Sequence, residues 1–115
     1  MALSDFEFKR CETLLSAYVQ RKRPPPRLRD QIDIGFRLEG QIADIFEIRP
    51  DFQDKSVKRE HPVARTKFVR KTGLWKVFWM RADGKWHGYE PAMYLKRFDD
   101  FLSLVEYDEY ACFWG

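Results

Sequence analysis

Residues 73–91, GLWKVFWMRADGKWHGYEP, decide the fold, and they carry three of the chain's four tryptophans beside Phe78, His87 and Tyr89. Leu74 to Arg81 and Trp86 to Glu90 read as two strands. Asp83-Gly84 between them is a pair that suits a two-residue type I′ hairpin turn. That turn sets a register in which Arg81 faces Trp86, Trp79 faces Gly88 and Val77 faces Glu90. Alternate side chains leave a strand on opposite sides. One face of the ribbon then carries Trp75, Val77, Trp79 and Trp86, and the other carries Leu74, Lys76, Phe78, Met80, His87 and Tyr89. Gly88 leaves room for the Trp79 indole, and Arg81 is placed to stack on Trp86.

Working outward, Ile32, Ile34, Phe36 and Leu38 alternate with Asp33, Gly35, Arg37 and Glu39, which is a strand with one buried face. Gly40-Gln41 turns the chain into a second strand, Ile42 to Arg49, ended by Pro50. This pairing sets Phe46 opposite Gly35 and Arg37 opposite Asp44. Asp51 to Ser56 is a polar loop, Val63 to Val69 a third strand, and Lys71-Thr72-Gly73 the turn into the aromatic ribbon.

Helices flank this sheet. Ser4-Asp5-Phe6-Glu7 is a capping box, in which the serine side chain accepts from the third helical amide and the glutamate reaches back. Phe8, Cys11, Leu15 and Tyr18 follow at helical spacing, so a helix runs over about 5–22. It cannot continue through the proline linker 24–26, because proline lacks the amide donor. The sheet spans about 31–90. Pro91 suits a first helical position, and Leu95, Phe98, Leu102 and Val105 predict a C-terminal helix over about 91–105. The aromatics of the closing EYDEYACFWG are expected to fold back on the body. The expectation is one α+β domain, 1–115: two layers, with a five-stranded antiparallel meander flanked by an N-terminal and a C-terminal helix.

The chain is 44% hydrophobic and 34% charged, which fits a folded chain and argues against disorder. Its net charge of +3 is too small to announce a polyanion binder by itself. The distribution says more. Arg21 to Arg29 holds five cations and no anion, Lys55 to Lys71 holds seven cations against Glu60, and Glu90 to Glu109 holds six acids against Lys96 and Arg97. No run is long and apolar enough to span a membrane, and MALSDFEFKR lacks the apolar core of a signal peptide. Cys11 and Cys112 sit in apolar surroundings and read as reduced thiols. With no asparagine, the chain has no N-glycosylation site. Together these place the protein in a reducing cytoplasm.

Two helices can cover only one face of the sheet, and the Trp75/Val77/Trp79 face is expected to be the core. The opposite face gathers the candidate binding residues Arg37, Phe46, Arg65, Lys67, Lys76, Phe78, His87 and Tyr89. A face mixing rings with cations has three readings. It binds single-stranded nucleic acid, whose bases stack on rings while cations follow the phosphates. It docks a second copy or another protein. Or the chain's own ends, YACFWG and PPPRLR, wrap over it.

Enzymatic signatures are sparse, and no catalytic residue or cofactor is assigned. His87 and Tyr89 alternate away from Glu90, and His61 has no partner that spacing supplies. Cys11, His61, His87 and Cys112 lack metal-ligand spacing. An alternative function, a metal-dependent nuclease or hydrolase using Glu47, rests on Asp33 with Glu47-Ile48-Arg49. In that pattern arginine replaces the usual lysine and stays protonated. Asp33 and Glu47 also point to opposite faces unless a bulge intervenes.

IFEIRPDF, HPVARTKFV, WKVFWMRADGKWHGYEP and the terminal CFW resemble the small bacterial proteins grouped as domain of unknown function number three thousand twenty-four. The resemblance runs from about Ile34 to Trp114. It implies a stand-alone bacterial cytoplasmic protein, and it implies no activity, cofactor or catalytic residue. The residues themselves point to a non-enzymatic binding module working through the aromatic and basic sheet face.

Overall fold

A computed structural model describes residues 3–115, so the first two positions of the expected domain lie outside the described residues. Helix α1 spans Asp5–Lys22 and opens on the expected capping box: the Ser4 side chain accepts from the Glu7 amide, and the Glu7 carboxylate accepts from the Ser4 amide. Arg21 and Lys22 occupy its last turn, where cations suit the negative end of the helix dipole. The prolines then end the helix, and a single 3-10 turn, Pro26–Leu28, leads to the sheet.

Strands β1 (Asp33–Glu39), β2 (Ile42–Pro50), β3 (Lys58–Val69), β4 (Leu74–Met80) and β5 (Trp86–Gly88) follow one another as an antiparallel meander in the order β1-β2-β3-β4-β5. The β1–β2 register is the expected one, with Gly35 beside Phe46 and Arg37 beside Asp44, and Gly40 closes the turn at φ 58°. Strand β3 starts earlier than the apolar pattern suggests. Its polar first third, Lys58–His61, pairs with the far end of β2. Between Ile45 and Phe46 the register slips by a β-bulge, so Val63 and Ala64 both turn inward and are buried.

The β4–β5 register differs from expectation by one residue. Met80 pairs with Trp86, Trp79 with His87 and Phe78 with Gly88. The loop is not a two-residue turn. The Gly84 amide donates to the Arg81 carbonyl, Gly84 sits at φ 76°, and the Asp83 carboxylate accepts from the Lys85 amide. Ala82 and Asp83 form the turn, and Gly84 supplies the left-handed residue of a three-residue loop. Trp86 therefore leaves on the outer side, whereas His87 and Tyr89 point to the helical side. Arg81 accordingly lies over Trp79, not Trp86, at 5.5 Å from the ring centroid. Gly88 makes room for the Met93 side chain, 3.0 Å from where a Cβ would be.

Beyond β5, Pro91 opens only a 3-10 turn, Glu90–Ala92, and a two-residue strand β6 (Tyr94–Leu95) returns to pair with β4. This edge is split, with β5 on one half of β4 and β6 on the other. Helix α2 is Phe98–Tyr107, so it starts later than the expected 91. Leu95, which looked like part of the helical stripe, is claimed by pairing with Trp75.

Both helices cover the face predicted as core. From α1 come Cys11, Leu15, Tyr18 and Val19, and from α2 come Phe98, Phe101, Leu102 and Val105. They pack on Ala43, Ile45, Ala64, Trp75 and Val77. Trp75 is the hub, with Phe68 and Phe98 at 5.1 Å and 4.9 Å between ring centroids. The C-terminal tail folds onto this same side. Asp108, at φ 46°, ends α2, and its carboxylate accepts from the Phe113 and Trp114 amides. Phe113 then packs on the buried Tyr89 ring, 4.9 Å between centroids. Both cysteines are free; Cys11 is buried and Cys112 half-buried. Among the described residues, no helix is long and apolar enough to cross a membrane.

Candidate binding face on the outer side of the sheet

Directly paired residues share a face, so the register lays the outer surface out in rows. One row runs Arg37, Asp44, Arg65, Phe78, Gly88, and the next runs Glu39, Ile42, Lys67, Lys76, Tyr94. Phe46 stands beside Gly35 and Pro62. Six of the eight expected residues are thus brought together: Arg37, Phe46, Arg65, Lys67, Lys76 and Phe78. His87 and Tyr89 are not. They face the helical side, where they line a cleft of about 380 Å³ with Trp79 and Cys112. His87 bonds Asp83 at 2.8 Å, and that bond holds the Asp83 carboxyl below the ordinary aspartate range.

The six do not behave alike. On the β1–β2 side each arginine is already satisfied. Arg65 makes a bidentate pair with Asp44 at 2.6 Å and 2.9 Å, and this hydrogen bonding raises its pKa further. Arg37 grips Glu60 at 2.8 Å and 3.2 Å, with the same consequence. Their guanidinium planes lie over aromatic rings, Arg37 over Phe46 at 4.9 Å and Arg65 over Trp86 at 4.8 Å. Phe46 is only 7% exposed although no helix covers this face, so its ring is sealed by the arginine layer. This half of the surface is a self-neutralised lattice of cations, carboxylates and rings.

The β3–β4–β6 side is different. A groove of about 650 Å³ runs along it, lined by Gln41, Lys67, Leu74, Lys76, Phe78 and Tyr94 among others, and no carboxylate is in its lining. Lys67 and Lys76 are directly opposed across the strands, an arrangement that repels. The Lys76 ammonium lies 5.3 Å from the Phe78 ring centroid and 6.0 Å from that of Tyr94. Tyr94 is half exposed. Thr66, buried beneath, donates its hydroxyl proton to the Lys76 carbonyl and fixes the backbone there.

Two contributors escaped sequence reasoning. A two-residue turn puts Trp86 on the helical face, whereas Ala82-Asp83-Gly84 suits the three-residue loop equally well and sends it outward. Tyr94 lay inside the presumed helix, and only pairing with β4 brings it beside Lys76.

The nuclease geometry is not assembled. Asp33 pairs with Ile48 and Glu47 with Ile34, so the two carboxylates alternate to opposite sides. Asp33 is held by Arg23 at 2.8 Å, and Glu47 by Arg49 at 3.1 Å. The one bulge in the β1–β2–β3 ladders shifts β3 against β2, not Asp33 against Glu47. Among the described residues, no three histidine, cysteine or acidic side chains are grouped to hold a metal ion.

The family described as Domain of unknown function (DUF3024) matches residues 3–115. The chain belongs to that family. No curated protein and no solved structure matches the chain. Membership of DUF3024 carries no assigned activity, so the chemistry of the outer face is what bears on function.

Proposed function

We propose that this DUF3024 protein is a non-enzymatic binding module that takes a single strand of nucleic acid in the outer groove. One observation carries the reading: Lys67 and Lys76 are opposed in a groove that contains accessible rings and no carboxylate. Two facing ammonium groups repel each other until an anion is placed between them. A phosphodiester backbone supplies such anions at regular spacing, and its unpaired bases can stack on Phe78 and Tyr94 at about 1–3 kcal/mol each. A second copy of the chain fits this groove less well, because a two-fold axis through it would bring each lysine pair against itself.

The test is fluorescence anisotropy with labelled single-stranded RNA and DNA at low salt, run beside light scattering for oligomeric state. Binding that weakens steeply with added salt supports the reading. A monomer that leaves every oligonucleotide free sinks it. A dimer that dissociates on Tyr94→Ala and never binds an oligonucleotide transfers the groove to self-association.

A further inference from the structure

We infer that the bound strand continues past the outer groove, over the β3–β4 turn, into a second groove beside the first turn of α1. This rests on the nucleic-acid reading above and extends it. The second groove measures about 450 Å³ and is lined by Phe6, Arg10, Trp75, Lys96 and Arg97 among others. The two concavities meet at the same place: both touch Phe68, the outer one reaches Arg70 and Thr72, and the inner one reaches Gly73. Only the tight turn at the end of the β3–β4 hairpin separates them, and that turn adds Arg70 and Lys71.

Charge follows the same track. The lining of the two grooves holds one carboxylate, Glu7, and Asp99 stands against two of the lining arginines. Asp99 is shared by Arg10 at 2.9 Å and Arg97 at 3.5 Å, and Glu7 is taken up by the capping box and by Arg70 at 3.6 Å. Among the described residues, no carboxylate pairs with Lys96, which is exposed. The track therefore keeps a positive excess from the Lys67–Lys76 pair to the mouth of the second groove.

A ring stands at that mouth. Phe6 is 79% exposed, although it belongs to the helix whose other apolar residues are largely turned inward. Packing does not explain its position, whereas a base stacking on it would. Phe6 and Tyr94 then serve as the two ends of one track, with phosphates crossing the basic turn between them.

The test is affinity against strand length, using oligothymidylates from about 4 to about 15 nucleotides, the range of sites that single-strand binders cover. The expected result is a step, in which strands long enough to cross the turn gain at least about fivefold over the short ones, the lower end of one stacked base. Phe6→Ala and Lys96→Glu are expected to abolish the step and to leave short-strand binding unchanged. Phe6 is so exposed that its removal does not threaten folding. Short strands that bind with no step, or a step that both variants retain, overturn this inference and leave the outer groove standing. Failure of every length to bind overturns both.

Discussion

Phe46 lies beneath the Arg37 guanidinium, 4.9 Å from its ring centroid, and its edge fills the space left by the missing side chain of Gly35. A Cβ added at Gly35 would fall 2.9 Å from Phe46 Cε1, closer than packed carbons tolerate. Gly35→Ala is therefore expected to destabilise the fold by about 1–3 kcal/mol, as overpacking does. Pairing it with Phe46→Leu should return part of that loss. Urea unfolding of the two variants checks this, and equal stability of Gly35→Ala and the parent would show that the ring can move aside.

Lys67→Glu and Tyr94→Ala should separate charge from stacking in the proposed function. Removing one phosphate contact lowers the slope of log affinity against log salt by about 0.7 for a single strand. Tyr94→Ala should weaken binding by about 1–3 kcal/mol and leave that slope alone. Arg65→Ala is expected to act through stability instead, because Asp44 loses its partner and Trp86 loses its cover. Anisotropy titrations at several salt concentrations read all three, and a slope unchanged by Lys67→Glu argues against a phosphate at that lysine.

Much of this architecture is written locally in the chain. The capping box and helical spacing place α1, and Gly40 with the alternation after it fixes β1 against β2. The misreadings occur where one local signal suits two structures. Asp83-Gly84 can close a two-residue turn or end a three-residue one, and the choice moves Trp86, His87 and Tyr89 across the sheet. Leu95 fits a helical stripe until β4 offers it a partner. Lys58–His61 has no apolar alternation, since only pairing with β2 makes it a strand. Lys67, Lys76 and Phe78 could be placed correctly because β3 and β4 keep a simple register there. The sealing of Phe46 could not be read, because it depends on side chains from three strands converging.

The Arg23–Asp33 pair joins the end of α1 to the start of β1 through bonds of 2.8 Å, with both side chains half-buried. The hydrogen bond from Arg23 lowers the Asp33 pKa below the ordinary value. A carboxyl with a depressed folded-state pKa contributes stability that is present above its unfolded pKa, about 3.9, and is lost as pH falls through the folded value. Asp33→Asn is expected to cost about 1–3 kcal/mol near neutral pH. The difference from the parent should shrink in acid, below the folded-state pKa. Thermal midpoints at both ends of that range check this, and a gap of constant size across it would mean that ionisation of Asp33 is not the source.

Asp108 ends α2 in a left-handed conformation while its carboxylate accepts two amides of the tail. Asp108→Ala removes both acceptors and leaves a side chain that dislikes φ 46°, so a loss of about 1–3 kcal/mol is expected. Asp108→Gly should recover only the backbone share. Hydrogen exchange at the Phe113 and Trp114 amides should accelerate in both variants. Unchanged exchange there would show that packing of Phe113 on Tyr89 suffices to hold the tail.

The divided edge at β5 and β6 has a consequence for how the molecule meets its surroundings. A foreign strand seeking to extend the sheet on that side finds runs of only three and two residues, interrupted by a turn containing Pro91. Such a rim offers no template for polymerisation. A sheet this rich in rings is thereby protected from zipping into fibres at that margin, and its encounters there must be made flat-on.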